Sequence, residues 1–232
     1  MQLPSYAELA KMIDHSLLKP TLTTAELEAG CRLAVEYDVA SVCIMPYYLA
    51  RAAELLEGSS LLPTTTIGFP HGSQSSRVKA LEAEQALTDG ARELDMVVNI
   101  SQVLSEKYDA VRGDIWAVLQ PTHDRGQKLK VIFENCYLNE THKIRLCEIC
   151  GELGVDWVKT STGFGTSGAT IEDLVLMRRH APPHVQVKAA GGVQTLEMLL
   201  RVREAGATRS GCSKTADVLD ELRRRLALGA QA

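Results

Sequence analysis

The chain has 232 residues, 45% of them apolar and 23% charged, with a formal net charge of −4. An apolar fraction near the globular average excludes intrinsic disorder, and interspersed charges with a slightly acidic balance argue against a nucleic-acid or membrane-surface partner. Aromatic residues make up only 5%, too few for base-stacking platforms, so a small molecule is the expected partner.

Short β-rich runs alternate along the chain with segments of helical period. Residues 12–17 lead into a helix carrying Leu27, Cys31 and Ala34, and 41–45 into one carrying Leu49, Ala52 and Leu56. Residues 64–69 precede Ala80, Ala83, Ala86 and Leu87. Residues 94–100 precede the longest helix, Tyr108 through Leu119, which Pro121 is expected to break. Runs 129–134, 157–161, 185–189 and 208–212 each precede a further helical stripe, and Gly30, Gly90, Gly154 and Gly206 fall where helices are expected to stop. Eight βα units over residues 1–232, with no linker or composition shift, predict a single (β/α)8 TIM barrel. The run 12–17 is short and holds Asp14 and His15; without it, an open doubly wound sheet is the alternative.

The opening MQLPSYAELAKMIDHS has no basic region followed by an apolar run, and no segment reaches the ~18 apolar residues of a membrane span. A cytoplasmic location is therefore expected, with the six cysteines as thiols. Cys147 and Cys150 form a C-x-x-C, but they share an apolar helical stripe with Ile144 and Leu153, and no second such pair completes a zinc site. Buried core thiols are the expectation there.

Polar residues interrupt three of the strands. Lys159 shares a strand face with Trp157 and Ser161, Lys188 alternates with Val185 and Val187, and Asp95 shares a face with Val97 and Asn99. A strand lysine usually sits at an end with its head in solvent. Two on consecutive strands, each before a Ser/Thr/Gly-rich exit, instead suggest a pair inside a lumen, where burial demands partners or a function. The matching chemistry is amine nucleophilic catalysis, because a lysine attacks a carbonyl only when neutral, and a second ammonium or partial burial disfavours its charged form. Asp95 is placed to move protons through water. Glycine-rich runs follow the last strands: 162–168, Gly191–Gly192 and Gly211–Cys212–Ser213–Lys214. Their backbone amides suit an anion, and barrels often hold a phosphate in the loops after their last two strands. A lysine nucleophile beside a phosphate cradle reads as a Schiff-base phosphosugar aldolase.

Several segments sharpen that reading: IDHSLLKPTLT (13–23), VCIMPYYLARA (42–52), TTTIGFPHGSQSSRVKALEAEQALTDGARELDMVVNI (64–100), LKVIFENCYL (129–138), WVKTSTGFGTSGAT (157–170) and VQVKAAGGVQTLEMLLRVREAGATRSGCS (185–213). In this order and over nearly the whole chain they resemble the deoxyribose-phosphate aldolase family. The resemblance implies a metal- and cofactor-independent class I aldolase that reversibly cleaves 2-deoxy-D-ribose 5-phosphate to D-glyceraldehyde 3-phosphate and acetaldehyde. It implies Lys159 as the Schiff-base lysine, Lys188 as the neighbour that tunes it and Asp95 as the proton-transfer partner. Phosphate contacts map onto Gly163, Gly191, Gly192, Gly211 and Ser213, and substrate contacts onto Ser16, Cys43 and Thr162. A homodimer is common in the family, although no interface stripe shows in the sequence.

The chain departs from the family pattern at Ser16 for threonine, His71 for the leucine of GFPLG, Ala190 for the serine of KASGG, Asn135 for the threonine of ETC, and Lys214 after Ser213. It ends LALGAQA, without the tyrosine tail some members carry, so proton transfer aided by such a tail is not expected. His15 is expected to be structural, in a turn. Two other readings remain open at this level: a Schiff-base enzyme for another aldehyde, and a silent barrel that binds a phosphosugar or a protein.

Overall fold

The computed structural model describes residues 3–229, so the last three positions of the tail lie outside the described residues. Eight parallel strands close into one barrel in sequence order: β1 (Ile13–Leu17), β2 (Ser41–Ile44), β3 (Leu62–Ile67), β4 (Glu93–Val97), β5 (Lys128–Ile132), β6 (Trp157–Lys159), β7 (Gln186–Ala189) and β8 (Arg209–Cys212). The run that decided between barrel and open sheet forms β1. It pairs with β2 on one side and β8 on the other, Asp14 standing opposite Ser41 and Gly211. The outer layer comprises α1 (Tyr6–Ala10), α2 (Thr24–Glu36), α3 (Leu49–Leu55), α4 (Ser76–Thr88), α5 (Ile100–Leu104), α6 (Tyr108–Asp124), α7 (Glu140–Leu153), α8 (Ile171–His180), α9 (Leu196–Glu204) and α10 (Thr215–Gly229).

Strand parity separates two interiors. Ile13, Val42, Leu94, Val131, Val158 and Val187 are fully buried in the apolar core beneath the helices. Their alternates, Asp14, Glu93, Asp95, Lys130, Lys159, Lys188 and Arg209, are buried and charged, and they fill the lumen. Cys147 and Cys150 belong to the apolar layer on α7, where burial pushes the Cys147 thiol up to about 12 and the Cys150 thiol well above the ordinary range.

Four local expectations change. Helix α6 runs through Pro121 to Asp124 instead of breaking. The missing N–H is tolerated because Val118, Leu119 and Thr122 are buried on both sides of it, and the Thr122 hydroxyl donates to Val118 O at 2.6 Å. Gly30 lies inside α2, not at its end; a Cβ there would meet the Leu17 side chain at 2.5 Å, so the glycine lets this helix sit close against β1. Strand β4 ends at Val97, since Asn99 caps α5 by accepting the Gln102 N–H at 3.3 Å. His15 sits within β1, facing the helices, with Nδ1 hydrogen-bonded to Thr215 Oγ1 at 2.8 Å.

Burial holds the His15 imidazole neutral, with its pKa lowered from 6.5 to about 4. The unfolded chain takes up a proton below pH 6.5 that the folded barrel refuses until about pH 4. This contribution to stability is therefore whole above pH 6.5 and is lost on acidification through that window, by about 3 kcal/mol in all. Urea denaturation across this range will show a pH slope that His15→Asn flattens; equal slopes would assign the acid sensitivity to other groups.

Candidate active site

The lumen charges form a closed ring. Arg209 bonds Asp14 through Nη1 and Glu93 Oε1 through Nη2, the latter at 2.6 Å. Glu93 Oε2 accepts from Lys130 Nζ at 2.5 Å, and Lys130 also donates to Asp95 Oδ1 at 2.9 Å. Asp95 Oδ2 accepts from Lys188 Nζ at 2.7 Å, and Lys188 returns to Asp14 Oδ2 at 2.5 Å. Three carboxylates alternate with three cations, so the ring is neutral by itself. Trp157 lies below it, with Lys130 and Arg209 at 5.9 and 5.4 Å from its ring centroid.

Lys159 is the seventh charge. Its Nζ donates to Asp95 Oδ2 at 2.7 Å, the oxygen that Lys188 also uses. Protonated, it leaves the buried cluster one positive charge in excess; neutral, it leaves none. Burial, reinforced by the Lys188 ammonium, outweighs the pull of Asp95 and holds the Lys159 pKa below the ordinary lysine value. Lys188 moves the other way: burial opposes its charge, but Asp14 and Asp95 more than compensate. Asp95 is buried too, yet Lys130, Lys159 and Lys188 hold it well below the usual carboxylate range. The same physics separates the two lysines into one amine that gives up its proton more readily than an ordinary lysine and one that holds it more tightly.

Above Lys159, at the C-terminal end of the strands, opens a cavity of about 290 Å³. It brings together Ser16, Lys159, Thr162, Gly163, Gly191, Gly192, Gly211 and Ser213 from the exits of β1, β6, β7 and β8. Asp95 and Lys188 lie beneath its wall, in the ring. Cys43 does not line it: it is 1% exposed, turned into the ionic layer, and burial and Asp95 push its thiol up to about 11. His71 is exposed and away from the wall, and Lys214 pairs at 3.6 Å with Asp217 on α10. A larger apolar groove of about 710 Å³ adjoins the cavity, sharing Leu18 and Phe164, but it holds no amine; the chemistry belongs to the smaller space.

The loops after β6 and β7 are laced together. Ala169 N donates to Ala190 O and Gly191 O, both at 3.0 Å, and a Cβ on Gly168 would meet Gly191 O at 2.2 Å. Only glycine permits that approach, which fixes the rim. Glu134, left-handed at φ 57° after β5, accepts from the Thr162 N–H at 3.1 Å and from its hydroxyl. Sequence reasoning missed Asp14, Glu93, Lys130, Arg209 and Glu134 as members of the site. The signal available was parity: Glu93 lies two residues before Asp95, and Lys130 two before Ile132, on strands whose other face is apolar.

A closed parallel barrel with buried amines at its C-terminal mouth, beneath a cavity of small-sugar size, defines an enzyme of the barrel aldolase class. A family model described as DeoC/LacD family aldolase matches residues 9–215. A deoxyribose-phosphate aldolase of Rhodopirellula baltica is 60% identical over 97% of this chain and 93% of its own length. That of Thermococcus gammatolerans is 45% identical over 93% of this chain and 97% of its own. The tetrameric structure of deoxyribose phosphate aldolase from Aeropyrum pernix superposes with a TM-score of 0.87 at 31% identity, covering 95% of this chain and 93% of that one. The chain belongs to the DeoC/LacD aldolase family.

Proposed function

We propose that this enzyme reversibly cleaves 2-deoxy-D-ribose 5-phosphate to D-glyceraldehyde 3-phosphate and acetaldehyde through a Schiff base on Lys159, in the catabolism of deoxyribose phosphate. The carrying observation is that Lys159 alone is surplus to a neutral ring of buried charges and opens into the cavity. The neutral amine adds to the C1 aldehyde of the open-chain sugar, and the carbinolamine loses water to give an iminium. Lys188, kept protonated by Asp14 and Asp95, supplies the proton for that dehydration, and Asp95 Oδ2, which both amines share, relays it.

With the iminium as electron sink, a water held by Asp95 takes the C3 hydroxyl proton and the C2–C3 bond breaks. Its electron pair moves onto nitrogen as an enamine, and glyceraldehyde 3-phosphate leaves. Protonation of the enamine carbon and addition of water free acetaldehyde and restore the amine. No cofactor or metal is needed for the balance. Ser16 and Thr162 hold substrate hydroxyls, and the amides at Gly163, Gly191, Gly192, Gly211 and Ser213 receive the phosphate.

The proposal takes residues 1–232 as one catalytic domain. It extends to a homo-oligomer, a homodimer as the smallest form, in the cytoplasm; among the described residues no helix is long and apolar enough to cross a membrane. The assay is acetaldehyde release from deoxyribose 5-phosphate and from deoxyribose. A kcat/KM at least about a hundredfold higher for the phosphate is expected, as for a site that recognises a charged group. Equal values would favour another aldehyde substrate, and phosphosugar binding without turnover would favour a silent barrel.

A further inference from the structure

The cavity rim is built of groups that can hydrogen-bond a phosphate but cannot neutralise it. Phe164, Val193 and Gln194 on the β6 and β7 exits are uncharged, as are Ser16 and Ser213. A phosphate monoester carries about −1.5 to −2 charges at neutral pH. Among the lining residues only Lys159 and Lys19 are cationic, and Lys159 is committed to Asp95 and to the carbonyl carbon. Lys19 stands on the β1 exit and lines the cavity together with Gly191 and Gly192 of the β7 exit. Its backbone is fixed by a turn in which Leu22 N donates to Lys19 O at 3.2 Å, with Pro20 presetting the next residue. No carboxylate lies within ion-pairing distance of its Nζ among the described residues, whereas Lys214, the other lysine near the rim, is paired with Asp217 and lies off the wall.

We propose that Lys19 is a specificity-determining residue, supplying the one exposed positive charge that, among the described residues, this cavity offers the substrate phosphate. The inference rests on the phosphosugar reading above and assigns the charge recognition within it. The amides orient the phosphate, and Lys19 folds over the mouth to compensate the charge the amides leave. Because Lys19 is exposed, its attraction is screened, and its contribution falls as ionic strength rises.

The test measures kcat/KM for deoxyribose 5-phosphate and for deoxyribose in wild type, Lys19→Met, Lys19→Arg and Lys214→Gln. It adds competitive inhibition by inorganic phosphate at low and high salt. In Lys19→Met the phosphate-to-deoxyribose ratio is expected to fall about tenfold, through KM, which is about 1.4 kcal/mol of discrimination. The inhibition constant for inorganic phosphate should rise by a similar factor. Lys19→Arg should restore most of the ratio, Lys214→Gln should leave it unchanged, and high salt should narrow the gap between wild type and Lys19→Met.

A wild type with no preference for the phosphate overturns both the phosphosugar reading and this one. A wild type with the preference, and a Lys19→Met variant that keeps it in full, overturns the role of Lys19 alone. So does a loss that is equal on both substrates.

Discussion

Replacing Lys159 with methionine will lower kcat/KM for deoxyribose 5-phosphate by at least about 10⁴-fold, because among the described residues the cavity has no other buried amine, the exposed Lys19 being an ordinary solvated lysine. Lys188 cannot substitute: Asp14 and Asp95 hold it as an ammonium, and it lies below the cavity wall. The stability change goes the other way from that of most buried-charge deletions. Methionine occupies a similar volume, and the remaining ring keeps three carboxylates with three cations, so Lys159→Met should be as stable as wild type or more so. Treatment with acetaldehyde and borohydride, followed by peptide mass analysis, checks the assignment. Wild type should carry the reduced two-carbon adduct on Lys159, and the variant none. An adduct on Lys188 or Lys19, or a variant that unfolds several degrees earlier, would refute the division of labour argued for the two lysines.

That division was only partly legible in the sequence. The alternation of β-rich runs with helical stripes foretold all eight strands and the closed barrel, and the face shared by Trp157, Lys159 and Ser161 placed Lys159 in the lumen. The expected tuning of Lys159 by Lys188 was incomplete, since Asp95 stands between the two ammonium groups and opposes the effect. What depresses Lys159 is burial next to a ring that is already balanced. Closing that ring needs Glu93 at the start of β4, Lys130 in β5 and Arg209 at the start of β8. In sequence each of these looks like the charged end of a strand facing solvent. Their convergence follows from barrel stagger, which brings residues from β1, β4, β5, β7 and β8 to one level, and no single segment records it. Gly30 and Pro121 misled for a similar reason: tertiary contacts with Leu17 and burial around Val118 overrode local helix signals.

Asp95→Asn should be the most damaging substitution in the ring itself. Asp95 accepts from Lys130, Lys159 and Lys188, and an amide offers one acceptor oxygen and no charge. Three cations would then face two carboxylates in a buried cluster. Breaking a buried ionic cluster on one side costs about 3–5 kcal/mol, which urea denaturation should register. Activity should fall about 10²- to 10⁴-fold, as expected for the loss of a proton relay. The pH profile separates the relay from simple damage. Asp95 raises the Lys159 pKa in wild type, so its removal should shift the acid limb of kcat/KM to lower pH even as the plateau drops. Lys188→Met has the opposite sign: it removes a cation that lowers the Lys159 pKa and leaves Asp95 Oδ2 to Lys159, while Lys130 keeps Oδ1, so its acid limb should move up. Two variants that move the limb in the same direction would show that Lys159 is not the group titrating in the rate, and the ring would then be a structural device only.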